Sequence, residues 1–278
     1  MRGKLKKLFA AVLAVLLALS FSGCSELTGL DAQALMSPPK TTADREAIYA
    51  LMGGGVGDVT LVYPKCGDYR SAIISRDLDG CGTSEVVSFC ANGDAGGTRL
   101  EFFKKNTDGV WNSMARFTSA ATQVDKVFFG DLTGDGMDEI IVGWGDPLTA
   151  TASVSVYYVD GDTIREFSMT TVSYSEILLT DFDSDNIKEL FVLQAAQTSG
   201  EEIMALGGLY RFDGDQPYVS KTVPLDAAVT RYTSVSFSQV NSWRRAAVLD
   251  GVKADGRMLT QVIGYDEASD RLISPLSN

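Results

Sequence analysis

The chain has 278 residues, with 24 Lys and Arg against 36 Asp and Glu, 27 Gly, 7 Pro, 4 Cys and no histidine. Without histidine there is no imidazole base, no Ser-His-Asp or Cys-His nucleophile and no His-containing zinc site, so any catalysis would rest on carboxylates, Lys or Tyr. A net charge of -12 opposes nucleic-acid phosphates and anionic lipid surfaces, while 45% apolar residues suffice for a sizeable core and are too many for a disordered chain.

The first 24 residues read as a targeting segment. Arg2, Lys4, Lys6 and Lys7 precede the apolar run Leu8 to Phe21, which is too short to span a bilayer comfortably, and Ser22-Gly23-Cys24 follows. Two small residues before a cysteine resemble the lipobox of bacterial lipoprotein signal peptides, in which cleavage precedes the cysteine and its sulfur receives diacylglycerol. Phe21 stands three places before Cys24, where Leu is usual. On this reading residues 1–23 are removed, and the mature chain has 20 basic and 36 acidic residues, a charge of -16. The protein is then exported and held at the outer face of the bacterial cell membrane through lipidated Cys24. Residues 24–40, with Ser37-Pro38-Pro39, form a tether.

Residues 41–55 predict a short helix. Thr41 can cap it with Asp44 three places on, Ala47, Ile48, Leu51 and Met52 share a face, and Gly53-Gly54-Gly55 stops it. Such a helix is expected to cover a sheet edge.

From Val59 the pattern changes to short strands separated by Asp/Gly turns. Leu100 to Phe103, Val156 to Val159, Leu209 to Phe212 and Val262 to Tyr265 each run into a turn at Asp108, Asp160, Asp213 or Asp266, at intervals of 52, 53 and 53 residues. About thirty residues upstream, in the first three units, an apolar strand enters an acidic loop and a second one leaves it. Each unit thus predicts four strands in a meander. A meander of about fifty residues cannot bury both its faces alone. Residues 59–278 are therefore expected to be all-β, a β-propeller of about four four-stranded blades, incomplete or irregularly closed. The alternative is a sandwich or solenoid of similar hairpins.

The acidic loops carry the chemistry. Asp77 to Glu85, Asp131 to Glu139 and Asp181 to Glu189 share a nine-residue frame. Oxygens at places 1, 3, 5 and 9 and the carbonyl of place 7 can wrap a hard cation that wants six to eight ligands. The expected ligands are Asp77, Asp79, Thr83 and Glu85 in loop one. They are Asp131, Thr133, Asp135, Met137 and Glu139 in loop two, and Asp181, Asp183, Asp185, Ile187 and Glu189 in loop three, with Thr83, Met137 and Ile187 giving carbonyls. Place 6 is Gly82, Gly136 or Asn186, types that tolerate a left-handed backbone. Loop three has four carboxylates and ranks first for calcium; loop two follows. Loop one has the soft sulfur of Cys81 at place 5 and ranks last, so two sites are expected, with a weak third. Lying between strands, the loops are not EF-hands. The alternative is that they are only Asx-rich turns.

This combination resembles the FG-GAP and VCBS-type repeats of integrin α-chain propellers and of bacterial surface lipoproteins, over residues 59 to 275. The resemblance implies a propeller with a calcium loop between the first two strands of each blade. Cys81 and Thr133 depart from that pattern, as does Glu at place 9 where Asp is commoner, and the fourth unit has Asn241-Ser242-Trp243 in place of the frame.

Cys66, Cys81 and Cys90 are an odd number, so at least one thiol stays unpaired within the chain. Trp111, Trp144, Trp243, Tyr157 and Tyr158 offer sugar-stacking platforms or core. Asp138 beside Glu139 and Glu201 beside Glu202 are poor acid pairs, because neighbouring strand residues point to opposite faces. Val59 to Tyr63 aligns with the last strand of the other units, which suggests a portion of a longer propeller or an irregular closure. The expected function is a non-catalytic, calcium-binding surface module presenting a platform to an extracellular protein or glycan, with no nucleic-acid partner. The alternatives are a carboxylate-based hydrolase of the glycoside hydrolase kind and a structural envelope component.

Overall fold

The computed structural model describes residues 43–146, 149–168, 172–199, 202–213, 216–241 and 244–274. The leader, Cys24 and the tether lie outside the described residues, as do Thr41, Glu201 and Trp243. Two compact units divide at Arg45/Glu46, and the second, Glu46–Asn278, holds every sheet. No helix among the described residues is long and apolar enough to cross a membrane.

Helix α1 (Ala43–Leu51) ends as its glycines dictate: Gly53 takes φ 98°, and the N–H of Gly54 returns to the Tyr49 carbonyl at 3.2 Å. Ile48, Tyr49 and Met52 are buried, whereas Ala47 and Leu51 are half-buried.

Four antiparallel meanders follow. The first sheet is β1 (Ile73–Arg76), β2 (Glu85–Ala91), β3 (Thr98–Lys105) and β4 (Trp111–Ser119). The second is β5 (Gln123–Gly130), β6 (Glu139–Asp146), β7 (Thr149–Asp160) and β8 (Thr163–Glu166), with β9 (Val172–Tyr174) pairing the first half of long β7. The third is β10 (Glu176–Thr180), β11 (Glu189–Ser199), β12 (Glu202–Asp213) and β13 (Gln216–Pro224). The fourth is β14 (Val229–Asn241), β15 (Arg244–Lys253), β16 (Met258–Asp266) and β17 (Arg271–Ile273). Among the described residues the four-strand unit expected from the repeat is present four times, with the four strands of each meander in chain order and β9 off that path.

Alternation along the second and third strands explains how the sheets associate. In β2, Val86 and Cys90 face α1 while Val87 and Phe89 face the second sheet. In β6, Ile140 and Val142 face back to the first sheet, and Ile141 faces the third. In β11, Leu190 and Val192 face the second sheet while Phe191 and Leu193 face the fourth. Both faces of β2, β6 and β11 are therefore buried, which is why these strands read as continuous apolar runs.

One segment behaves differently from its sequence alignment. Leu61, expected in an outermost strand, bridges Cys90 of β2, and the N–H of Val62 donates to the Phe89 carbonyl at 3.0 Å. Val59 to Tyr63 thus continues the line of β1 along the far half of β2. The burial of Leu61 against the α1 cluster, rather than turn spacing, decides its place.

Candidate metal centres

The acidic loops fall where expected, between the first and second strands of the first three sheets, and one set of contacts shapes all three. The apolar residue at place 2 (Leu78, Leu132 or Phe182) is buried in the core shared with the following sheet. Its N–H donates to the place 9 glutamate: Leu78 to Glu85 Oε2 at 2.9 Å, Leu132 to Glu139 Oε2 at 2.6 Å and Phe182 to Glu189 Oε2 at 2.8 Å. The three glutamates are at most 2% exposed. The place 1 carboxylate accepts from the place 6 N–H, at 2.8 Å from Gly82, 2.9 Å from Gly136 and 3.0 Å from Asn186. That wrap needs a left-handed backbone at place 6, and φ there is 86°, 84° and 72°. Place 4 is also left-handed, at Gly80, Gly134 and Ser184.

Adjacent loops are joined. The N–H of Asp138 in loop two donates to the Leu78 carbonyl at 3.0 Å, and the N–H of Lys188 in loop three donates to the Asp131 carbonyl at 2.9 Å. Arg76 meets Asp138 at 2.5 Å, and the Ile187 side chain crowds over Gly134. Met137 joins the core between the first two sheets.

A contributor that the loop frame does not contain comes from the third strand. Antiparallel pairing sets Lys104 of β3 beside Glu85, Tyr158 of β7 beside Glu139, and Arg211 of β12 beside Glu189. Lys104 Nζ lies 2.5 Å from Asp79 Oδ2 and 3.5 Å from Glu85 Oε1. Arg211 Nη2 lies 2.8 Å from Glu189 Oε1 and 3.4 Å from Asp185 Oδ2, and it also pairs with Asp183. Loop two has a phenol at this register. The Lys188 side chain lies over Gly130 at the loop two entrance.

The charges respond accordingly. Burial pushes the Asp79 carboxyl up, but hydrogen bonds from Cys81 and Lys104 outweigh it and hold the group down at about 2. The Lys104 ammonium is raised, chiefly by Asp79. Burial lifts Glu139 to about 7, with Asp135 and Asp131 adding to the effect against the Leu132 N–H. Glu189 also rises to about 7 through burial, opposed by the Phe182 N–H and by Arg211. Burial works against the Arg211 charge, yet Glu189, Asp183 and Asp185 raise it further.

Convergence of the ligand groups follows the basic side chains. Among the described residues, Asp77, Asp79 and Cys81 bring ligand atoms within 4.8 Å of one another, as do Asp181, Asp183 and Glu189; the loop two carboxylates form no such group. Counting carboxylates, which places loop three first for calcium, leaves out Arg211. Loop two fits a hard cation by its donors: Asp131, Asp135 and Glu139 with the Thr133 hydroxyl, whose buried Oγ1 has no hydrogen-bond partner. Asp77 Oδ1 and Asp183 Oδ1 are orphaned in the same way.

Asp138 is engaged by Arg76 while Glu139 is buried beneath it, so this adjacent pair does not face one cleft. Trp144 and Tyr157 are core. Cys66, Cys81 and Cys90 are all free thiols. A cluster that the sequence does not announce ties the second and third sheets. Asp125 accepts from Tyr174 Oη at 2.6 Å and from the Cys66 thiol at 3.1 Å, and Lys126 donates to Glu176 Oε2 at 2.6 Å. Its polar groups satisfy one another across β5, β9 and β10. An open cleft of about 400 Å³ is lined by Lys104, Lys105, Asn106, Asn112 and Met114 with Asp162 as its one carboxylate.

No family profile matches this chain, and no curated protein matches it. Among solved structures it is similar to the crystal structure of a Bifidobacterium bifidum s17 protein assigned as an exo-beta-1,3-galactanase. The two share 12% identity at a TM-score of 0.32, over 79% of this chain and 96% of that one. A likeness of that size does not bear on the activity of this chain.

Proposed function

We propose that this chain is an exported lipoprotein with a non-catalytic, calcium-stabilised repeat domain, its four sheets acting as propeller blades that present a surface to an extracellular protein or glycan. The observation that carries the reading is the row of three joined acidic loops. Their carboxylates are spent on shaping the loops and on holding Lys104 and Arg211, and among the described residues the open cleft beside Lys104 has no facing carboxylate pair. A glycosidase of the two-carboxylate kind needs such a pair about 5 to 9.5 Å apart, and the cleft beside Lys104 offers Asp162 alone. Loop two would hold calcium through Asp131, Thr133, Asp135 and Glu139 with the Met137 carbonyl. The ion would supply no chemistry beyond closing the loop and so stabilising the folded chain by mass action.

Calorimetric titration of the purified protein with calcium, together with melting in chelator, tests the metal reading. Saturable heat and a melting temperature lowered by chelator are expected, and absence of both would reduce the loops to acidic turns. Cys24→Ser tests the anchor, since it should release the protein from the membrane fraction or leave an uncleaved precursor. Normal processing and detergent partitioning of that variant would remove the lipoprotein part.

A further inference from the structure

We infer that the third-strand side chain beside each buried glutamate decides what its loop holds. Arg211 and Lys104 take the place of a metal ion in loops three and one, and Tyr158 leaves loop two as the loop that accepts a divalent cation. The loop two half of this inference rests on the calcium reading above; the Arg211 half does not.

The geometry of loop three is specific. One guanidinium nitrogen reaches Asp183, Asp185 and Glu189 together, the acids at places 3, 5 and 9 that a cation in this frame would use. Calcium needs its oxygens at about 2.3–2.6 Å on all sides. Arg211 Nη2, at 2.8 Å from Glu189 Oε1 and already bound to Asp183, stands where those oxygens converge. The two cations would repel at close range in a half-buried site. Loop one repeats the arrangement with Lys104 between Asp79 and Glu85.

A basic side chain on the same polypeptide is always present at its loop, so closure of loops one and three does not depend on the metal content of the medium. Loop two has the same acids at places 1, 5 and 9, an orphaned Thr133 hydroxyl at place 3 and no basic side chain at the deciding register. Its carboxylates stay apart where those of loop three are gathered.

The test uses calcium chloride and the purified full chain, with sites counted by equilibrium dialysis and stability followed by thermal melting. The parent is expected to bind one ion, lost in Asp135→Ala and kept in Asp183→Ala. Arg211→Gln is expected to bind one ion more than the parent, and the gained site should disappear in Arg211→Gln/Asp183→Ala. In chelator Arg211→Gln should melt below the parent, and calcium should recover most of the difference. A parent that binds nothing, with an Arg211→Gln variant that binds one ion, would still support the role of Arg211 while refuting the calcium reading of loop two. A folded Arg211→Gln variant with no added site would overturn the inference, as would a parent whose site is lost in Asp183→Ala.

Tyr158→Arg gives an independent arm that leaves Lys104 and Arg211 in place, with Tyr158→Gln as the control for loss of the ring packed on Phe167. Placing a guanidinium in loop two should weaken calcium binding there at least about a hundredfold. Retention of the parent affinity in that variant would overturn the loop two half.

Discussion

Leu132→Ala isolates the structural job of the loop frame from its charge. Leu132 is 1% exposed and sits at place 2 of loop two, among Ile141 and Val156 of the second sheet and Ile177 and Leu190 of the third. Its N–H holds Glu139, a bond that the substitution leaves in place. Truncation removes three carbons from a fully packed site between two sheets. The transfer loss plus the cavity left behind is about 3–4 kcal/mol, because neither sheet can collapse into the gap without breaking its own ladder. For a unit of this size each kcal/mol moves the melting temperature by about 2–4 °C, so a fall on the order of 10 °C is expected. Scanning calorimetry and urea unfolding should agree on the loss, with an unchanged denaturant slope. Met258→Ala, at a side chain 63% exposed, is the control and should stay within about 0.5 kcal/mol of the parent. A loss below about 1 kcal/mol for Leu132→Ala would show that the place 2 residue does not pin the loop between sheets.

Two further outcomes are expected. A Cβ on Gly143 would stand 2.2 Å from Tyr174 Oη, which is held by Asp125; Gly143→Ala should therefore cost about 1–3 kcal/mol by urea unfolding. Gly143→Ala/Tyr174→Phe should recover part of that loss, and equal destabilisation of both would argue against the clash. Among Cys66, Cys81 and Cys90, native labelling with a thiol reagent at pH 8 should modify Cys81 first, because it is exposed. Burial and the Asp125 carboxylate push Cys66 up to about 11, so it remains a protonated thiol at that pH, and Cys90 is fully buried. Labelling of Cys66 as fast as Cys81, followed by mass spectrometry, would contradict the buried network.

The repeat was readable because it rests on local chemistry. Strand alternation, Asp-Gly turns and a nine-residue acidic frame recur in the chain, and the four meanders appear where that recurrence places them. The left-handed backbone expected at Gly82, Gly136 and Asn186 is present for the same reason. Lys104 and Arg211 carry no such signature, because their role depends on pairing between the second and third strands, not on the loop. The turns used to align the units also hide the match. Five residues separate β3 from β4 and two separate β7 from β8, so alignment on the Asp-Gly turns sets Asn106, rather than Lys104, against Tyr158 and Arg211. Counting from the place 9 glutamate along the ladder recovers the correspondence. The cluster of Cys66, Asp125, Lys126, Tyr174 and Glu176 has no sequence signature, since its members come from three separate stretches that share no spacing.

Each sheet is made from roughly fifty consecutive residues, and each apolar cluster joins only elements that follow one another in the chain: α1 with the first sheet, then first with second, second with third and third with fourth. The order of packing is therefore the order of synthesis. A newly made sheet finds its predecessor already folded and waiting as a template, and no strand has to wait for a distant partner to be made. Contacts of this kind keep loop-closure costs low and confine misfolding to one unit at a time. The row of neighbour-only interfaces amounts to a folding programme that runs in the direction of the chain.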